Sequence, residues 1–321
     1  MLSSKEDALL SKENAQQPPE GLYNASVVGC RDVHEDLRIL RVQLDEGRLG
    51  FIAGQYTTLG LYVGRPSAGD EGTSNRMATN SPHLTKRAYS ISCSMLNSDD
   101  ELVTVSQCPY LEFYITQVHP QQDDRPHLSP RLFALTVGER LYVDRRAHGR
   151  YTLEPVKPDD TVILMATGTG EAPHNAMVAE LLAGSHRGRI VCVTCVRYRR
   201  DLGYLAVHRQ LERRYRLYRY VGLTTREPEN VDANRPDYVG KQYLQDFVTT
   251  FELDARLGEK LDPTRTHVYL CGNPVMIGAP PRSAGAGQQP KPAGMIEALQ
   301  RRGFRMDEPG RRGNIHFETF W

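Results

Sequence analysis

The sequence predicts two domains in series: an antiparallel all-β barrel, then an α/β domain built on a parallel, doubly wound sheet. Three observations carry this. From about Gly21 to Glu154, short runs of β-branched and aromatic residues follow one another with turn residues between them. Strands without intervening helices build antiparallel barrels or sandwiches. After Glu154, strand-like runs alternate with helical ones, the order that gives a parallel sheet covered on both faces. A length of 321 residues suits two such domains.

Composition narrows the function. With 39% hydrophobic and 25% charged residues the chain reads as a soluble globular protein. A formal net charge of +1 weighs against a general nucleic-acid or membrane-surface binder. The longest apolar runs, such as Thr161 to Ala166, are strand-sized, so no membrane insertion is expected. Residues 1–20 mix charges and lack a continuous apolar segment, which reads as a disordered or weakly helical leader and not a secretory signal. Six scattered cysteines favour a reducing compartment, and hence a cytoplasmic location. Only Cys192 and Cys195 are close. At i and i+3 of a strand they face opposite sides, so no metal site is expected and any iron–sulfur cluster belongs to a partner.

Within the first domain, residues 21–155, strands are expected at Tyr23–Gly29, Leu37–Leu44, Gln55–Leu61, Lys86–Ser92, Leu102–Ser106, Phe113–Val118 and Arg140–Asp144. One short helix is expected over Pro130–Leu135. A Gly/Ser/Thr/Asn/Pro-rich insert, Arg65 to Thr85, predicts a surface loop. On the strand Lys86–Ser92, Arg87 and Tyr89 share one face and Ala88 and Ser90 the other. A guanidinium beside a phenol suits a ligand with both phosphate and an aromatic ring, such as a flavin dinucleotide. An ordinary barrel strand with one solvated Arg explains the same four residues. Further on, Tyr114-Ile115-Thr116-Gln117 lies on an aromatic strand and His127-Leu128-Ser129 opens the short helix, whose amides suit a pyrophosphate. A hairpin and a packing helix are the plainer explanation.

In the second domain, residues 156–321, the strand Thr161–Ala166 runs into Gly168-Thr169-Gly170 and an amphipathic helix ending near Leu182. Pro173 fits its first turn, and Gly184 fits the C′ position. Glycines at a strand's carboxyl end admit a ligand to the backbone, although a tight turn alone accounts for the pair. Strand Ile190–Val196 runs into Arg197, and strand Leu217–Leu223 runs into Thr224-Thr225-Arg226, which places two guanidiniums where α/β sheets bind ligands and favours a 2′-phosphate over a ribose diol. Each Arg alone reads as a solvated loop charge. The last strand of the sheet, Thr266–Leu270, ends in Cys271-Gly272-Asn273-Pro274, with Cys271 either a buried core thiol or a ring contact. A Gly/Pro/Gln-rich stretch from about Ala279 to Gly294 reads as a loop. The chain finishes Glu318-Thr319-Phe320-Trp321, and two terminal aromatics need a surface to cover.

In order, Arg87-Ala88-Tyr89-Ser90, Tyr114 to Gln117, His127 to Ser129, Gly168-Thr169-Gly170, Cys271-Gly272-Asn273-Pro274 and the aromatic tail resemble the bacterial subclass of the ferredoxin–NADP+ reductase family. The resemblance runs from Gly21 to Trp321 apart from the two inserts. It implies an antiparallel Greek-key FAD-binding barrel followed by a parallel doubly wound NADP-binding domain. It also implies hydride exchange between NADP(H) and FAD, linked to single-electron exchange with ferredoxin or flavodoxin. By the same resemblance, Thr169, Phe320 and Trp321 contact the flavin or its nucleotide partner, and Gly168, Gly170, Val196, Arg197, Thr225, Arg226, Lys241 and Gly272 hold NADP(H). Ser90, Cys271 and Glu318 surround the reacting edge: Ser90 polarises or orients there, and Glu318 relays protons. Three positions depart from the family pattern: His127 stands where Lys is usual, Lys241 where an Arg is, and Phe320 where a Tyr is. A flavoenzyme of the same fold acting on a quinone or free flavin, or a non-catalytic nucleotide-binding module, are the alternatives.

Overall fold

The structure is a computed structural model and describes residues 21–63, 83–118, 127–278, 294–308 and 310–319. The expected leader, most of both inserts, Phe320 and Trp321 lie outside the described residues. The first six strands are β1 (Ala25–His34), β2 (Leu37–Leu44), β3 (Tyr56–Val63), β4 (His83–Ser90), β5 (Leu111–Thr116) and β6 (Arg140–Val143), with helix α1 (Ser129–Phe133) before the last. They form one sheet in the order β4-β3-β6-β1-β2-β5, antiparallel throughout. Its two edges meet just past β4, where Ser92 N donates to Glu112 O at 2.7 Å, so the sheet curls into a barrel. Strand alternation sets its contents. Leu111, Phe113 and Ile115 of β5 point into the barrel core with Leu40, Leu59 and Leu141, while Glu112 and Tyr114 point out, towards the second lobe.

That lobe carries β7 (Thr161–Thr167), helix α2 (Glu171–Ala183), β8 (Ile190–Val196), helix α3 (Leu205–Arg214), β9 (Tyr218–Thr224), β10 (Thr266–Gly272) and β11 (Ile315–Thr319). The sheet is fully parallel, in the order β11-β10-β7-β8-β9. The chain starts in the middle at β7, winds out to β9, then returns to β10 on the other side of β7. The strand order therefore reverses between β7 and β10, where open α/β sheets bind ligands. Both faces are buried, as a parallel sheet requires. Ile163 and Met165 face a core of helices from the second lobe alone. Val162 and Leu164 face a core that also takes Leu37, Ile39, Met95 and Tyr151 from the barrel lobe. The lobes are thus joined by continuous apolar packing.

Several expected elements differ. The segment 102–106 is not a strand: Leu102 makes one bridge to Leu96, and the chain then turns. Its apolar residues Leu102, Val103 and Val105 pack against the inter-lobe core instead of pairing in the barrel. Residues 83–85, read as loop, begin β4. The α2 helix is not amphipathic, with ten of its thirteen residues buried, because the sheet covers one side and the barrel lobe another. Gly184 ends α2 in an extended conformation (φ −80°, ψ −170°), not the left-handed one a C′ glycine supplies, and its N–H still closes on Glu180 O at 2.9 Å.

Candidate active site

The sheet's reversal point is built for close approach. A Cβ on Gly170 would strike the Cys271 carbonyl, so the turn Gly168-Thr169-Gly170 after β7 can lie directly against the end of β10. Gly272 holds φ +123°, a value that other residues rarely adopt, and Asn273 N donates to Thr167 Oγ1 at 2.8 Å. Two strand ends are thereby locked together with bare backbone between them.

Beside this point three distant segments converge. Parallel pairing of β10 with β11 sets Cys271 opposite Glu318. Ser90, at the end of barrel strand β4, donates from Oγ to Glu318 Oε2 at 3.5 Å across 228 residues of sequence. Cys271 is wholly buried, and burial, then the neighbouring Glu318 carboxylate, pushes its thiol well above the usual range. It is therefore a neutral thiol, not a nucleophile. Tyr151 is pushed up by burial and by the same two groups, and its hydroxyl pairs with His174 Nε2 at 2.7 Å. Tyr151 and His174 were not singled out from the sequence; neither lies in a motif, and the contact crosses lobes.

Of the barrel residues expected at a flavin, Arg87 and Ala88 are exposed on β4, and Tyr89 packs edge-on to Phe113 at 6.5 Å. Opposite Leu59 and Thr57 of β3 respectively, Arg87 and Tyr89 share a face, as expected. Tyr114 is buried, its ring edge-on to Tyr204 (5.0 Å) and its hydroxyl donating to Asp201 O (2.8 Å) while accepting Gly203 N (2.9 Å). Its side chain therefore joins the lobes. Ile115 and Leu128 sit in the barrel core, and Ser129 Oγ accepts Val118 N at 3.0 Å. In these stretches the backbone, exposed Thr116 and half-buried Gln117 lie outside these packed side-chain contacts, and His127 is half-buried.

The cations gather as the strand ends predict. Arg226 N donates to Arg197 O at 2.9 Å, and Gln242 N to Thr224 O at 3.2 Å, which brings Lys241 beside them. Val196 O accepts Thr225 Oγ1 at 3.3 Å, tying the ends of β8 and β9. All three cations are exposed, and none has an ion-pair partner among the described residues. Arg199, by contrast, pairs with Glu229 at 2.8 Å. Cys192 and Cys195 lie on opposite faces of the sheet, in different cores.

The buried histidines give the molecule an acid limit. Full burial, then repulsion from His208, pushes His174 down to about 3. The unfolded chain takes up this proton below pH 6.5 while the folded protein refuses it until about pH 3, so stability is complete above 6.5 and falls as pH falls through that window. Each pH unit costs about 1.4 kcal/mol. Burial lowers His186, His267 and His316 in the same sense. Urea unfolding at pH 4.5 is expected to show at least about 3 kcal/mol less stability than at pH 7, and His174→Gln should flatten that slope.

A barrel whose outer strand abuts the reversal point of a parallel nucleotide-type sheet is the fold of the two-domain flavin and pyridine-nucleotide reductases. Comparisons agree. The sequence model of the oxidoreductase NAD-binding domain matches residues 164–280. Flavodoxin/ferredoxin–NADP reductases of Shigella flexneri and Escherichia coli K12 are each 31% identical over 233 residues, covering 71% of this chain and 77% of theirs. A ferredoxin–NADP+ reductase from Neisseria gonorrhoeae, solved with bound FAD and NADP, superposes with a TM-score of 0.69 at 19% identity, covering 94% of this chain and 100% of that one. The chain belongs to the ferredoxin–NADP+ reductase family.

Proposed function

We propose that this protein is an FAD-dependent oxidoreductase that exchanges hydride with NADP(H) and single electrons with a ferredoxin or flavodoxin. The observation that carries the reading is the convergence of Ser90, Cys271 and Glu318 from three remote segments onto the sheet's reversal point. The residues present fit both cofactors: Gly170 and Gly272 keep backbone bare where a ring must approach, and Arg197, Arg226 and Lys241 offer unneutralised charge to a phosphate.

When bound, FAD supplies the conversion between paired and single electrons. Arg87, Tyr89, Ala88 and the backbone of 114–117 and 127–129 hold it on the barrel. Thr169 in the first turn and Val196 and Thr225 at the strand ends shape the nucleotide's path, and the three cations fix its far end. Anchoring there orients the reacting end without touching it. Ser90 Oγ, donating to Glu318, sets a hydroxyl beside the sheet's reversal point. Cys271, neutral and buried, fills space without adding charge. Among the described residues, Glu318 is the carboxylate placed to hand on a proton at this junction.

The test is the visible spectrum of the purified protein during anaerobic NADPH titration. Flavin absorbance that bleaches with NADPH and returns on adding an oxidised carrier is expected. Protein that stays colourless after incubation with FAD would overturn the reading. Ser90→Ala should slow hydride transfer in stopped-flow absorbance at least about tenfold, about 1.4 kcal/mol in barrier.

A further inference from the structure

The segment between β4 and β5 holds a pair of thiols that pack at the inter-lobe core and that the proposed reaction does not use. Cys93 Sγ and Cys108 Sγ lie 3.6 Å apart. Cys93 is buried at 1% exposure and Cys108 is partly open to solvent. Among the described residues the other four cysteines lack this arrangement: Cys192, Cys195 and Cys271 are buried, and Cys30 donates to the Leu135 carbonyl. We infer that Cys93 and Cys108 are a reversible dithiol–disulfide site that reacts with a small peroxide.

The geometry supplies each requirement. The sulfurs already touch and need only close to about 2.05 Å, and the ordered fold holds them at high effective concentration. Cys108 offers the accessible face. The sulfur–sulfur hydrogen bond shared with Cys93, the Ser94 backbone and the nearby Arg41 guanidinium favour its thiolate, against its partial burial and the Glu112 carboxylate. Cys93 is pushed up and waits as the resolving thiol. The Cys108 thiolate attacks one peroxide oxygen, the O–O bond breaks, and water leaves after protonation, giving a sulfenic acid. Cys93 sulfur then attacks that sulfur, the S–O bond breaks, and a second water leaves. Two thiols and one hydrogen peroxide become one disulfide and two waters; sulfur is oxidised and oxygen reduced. A thiol reductant reverses it.

The site is placed to be felt. Ser92 and Ser94 flank Cys93. Ser92 Oγ donates to Tyr204 OH (3.3 Å) and accepts Asn175 Nδ2 (3.2 Å), while Ser94 Oγ donates to Glu112 Oε2 (2.6 Å). The disulfide would fix the turn from which the lobes are joined.

No Lys or Arg separates Cys93 from Cys108, so trypsin leaves both on one peptide. After brief treatment of the full-length protein with hydrogen peroxide and alkylation, that peptide is expected to have lost two hydrogens and both alkylation sites. The other four cysteines should remain alkylatable after unfolding, and dithiothreitol should restore the pair. In Cys93→Ser, a dimedone adduct should accumulate on Cys108. In Cys108→Ser, Cys93 should stay unmodified. Peroxide consumed first at Cys30, or a wild-type peptide that keeps both thiols while others oxidise, would overturn the proposal. The wild-type mapping stands even if a variant fails to fold.

Discussion

Glu112→Ala is expected to destabilise the protein by about 3 kcal/mol, with Glu112→Gln costing roughly half as much. Glu112 is 1% exposed. Its Oε2 accepts Arg41 Nε at 2.8 Å and Ser94 Oγ at 2.6 Å, and its Oε1 accepts Tyr204 OH at 2.9 Å. One carboxylate on the barrel's outer strand thus ties two barrel segments to the nucleotide lobe. Alanine would leave the Arg41 charge unmatched and the Tyr204 hydroxyl, on a residue only 2% exposed, short of an acceptor. Breaking a buried pair from one side costs about 3–5 kcal/mol. The Arg41 side chain is 40% exposed and recovers part of its hydration, which places the result at the low end. Glutamine keeps the reach and one acceptor oxygen, but its NH2 end cannot accept and the charge is lost. Urea denaturation followed by far-UV circular dichroism gives both numbers. An alanine variant no less stable than the glutamine variant would show that the carboxylate is not what holds this junction.

That junction is also where reading the sequence stopped. The strands of both sheets were legible because alternation and turn residues are local signals, as in β2 and β8, whose bounds match. Apolar content alone misled at 102–106, since burial against another lobe writes the same pattern as burial in a barrel. The α2 helix was read as one-sided because nothing local announces a second lobe on its outer face. Glu112 and Tyr204 meet across 92 residues, and Glu171 accepts Thr194 Oγ1 and Tyr220 OH in a buried cluster with His208. Each reads as an ordinary residue in its own segment. Ser90, Cys271 and Glu318 were found through the family resemblance; spacing alone cannot bring residues 90 and 318 together. Tyr114 shows the reverse error of emphasis, for its place in the motif was legible and the direction of its side chain was not.

Removing both Arg197 and Arg226 to alanine is expected to lower kcat/KM for NADPH by roughly 100- to 1,000-fold while changing that for NADH less than about threefold. Charge-assisted contacts to a phosphate are worth about 1.5–3 kcal/mol each, and exposure of both guanidiniums places these at the lower end. The neighbouring carboxylates do not neutralise them. Glu229 is taken by Arg199, and Glu227 Oε1 accepts Arg199 N at 2.5 Å. Because Arg226 N is bonded to Arg197 O, the two heads share one locality and either can partly cover for the other. Single variants should therefore lose less than half of the double variant's free energy. Lys241→Ala should weaken NADPH only about fivefold, since an ammonium carries charge without the two-pronged geometry. The wild-type preference for NADPH should shrink as salt rises, and the double variant's should not. If NADH suffers as much as NADPH in the double variant, these residues shape the strand ends and do not read the phosphate.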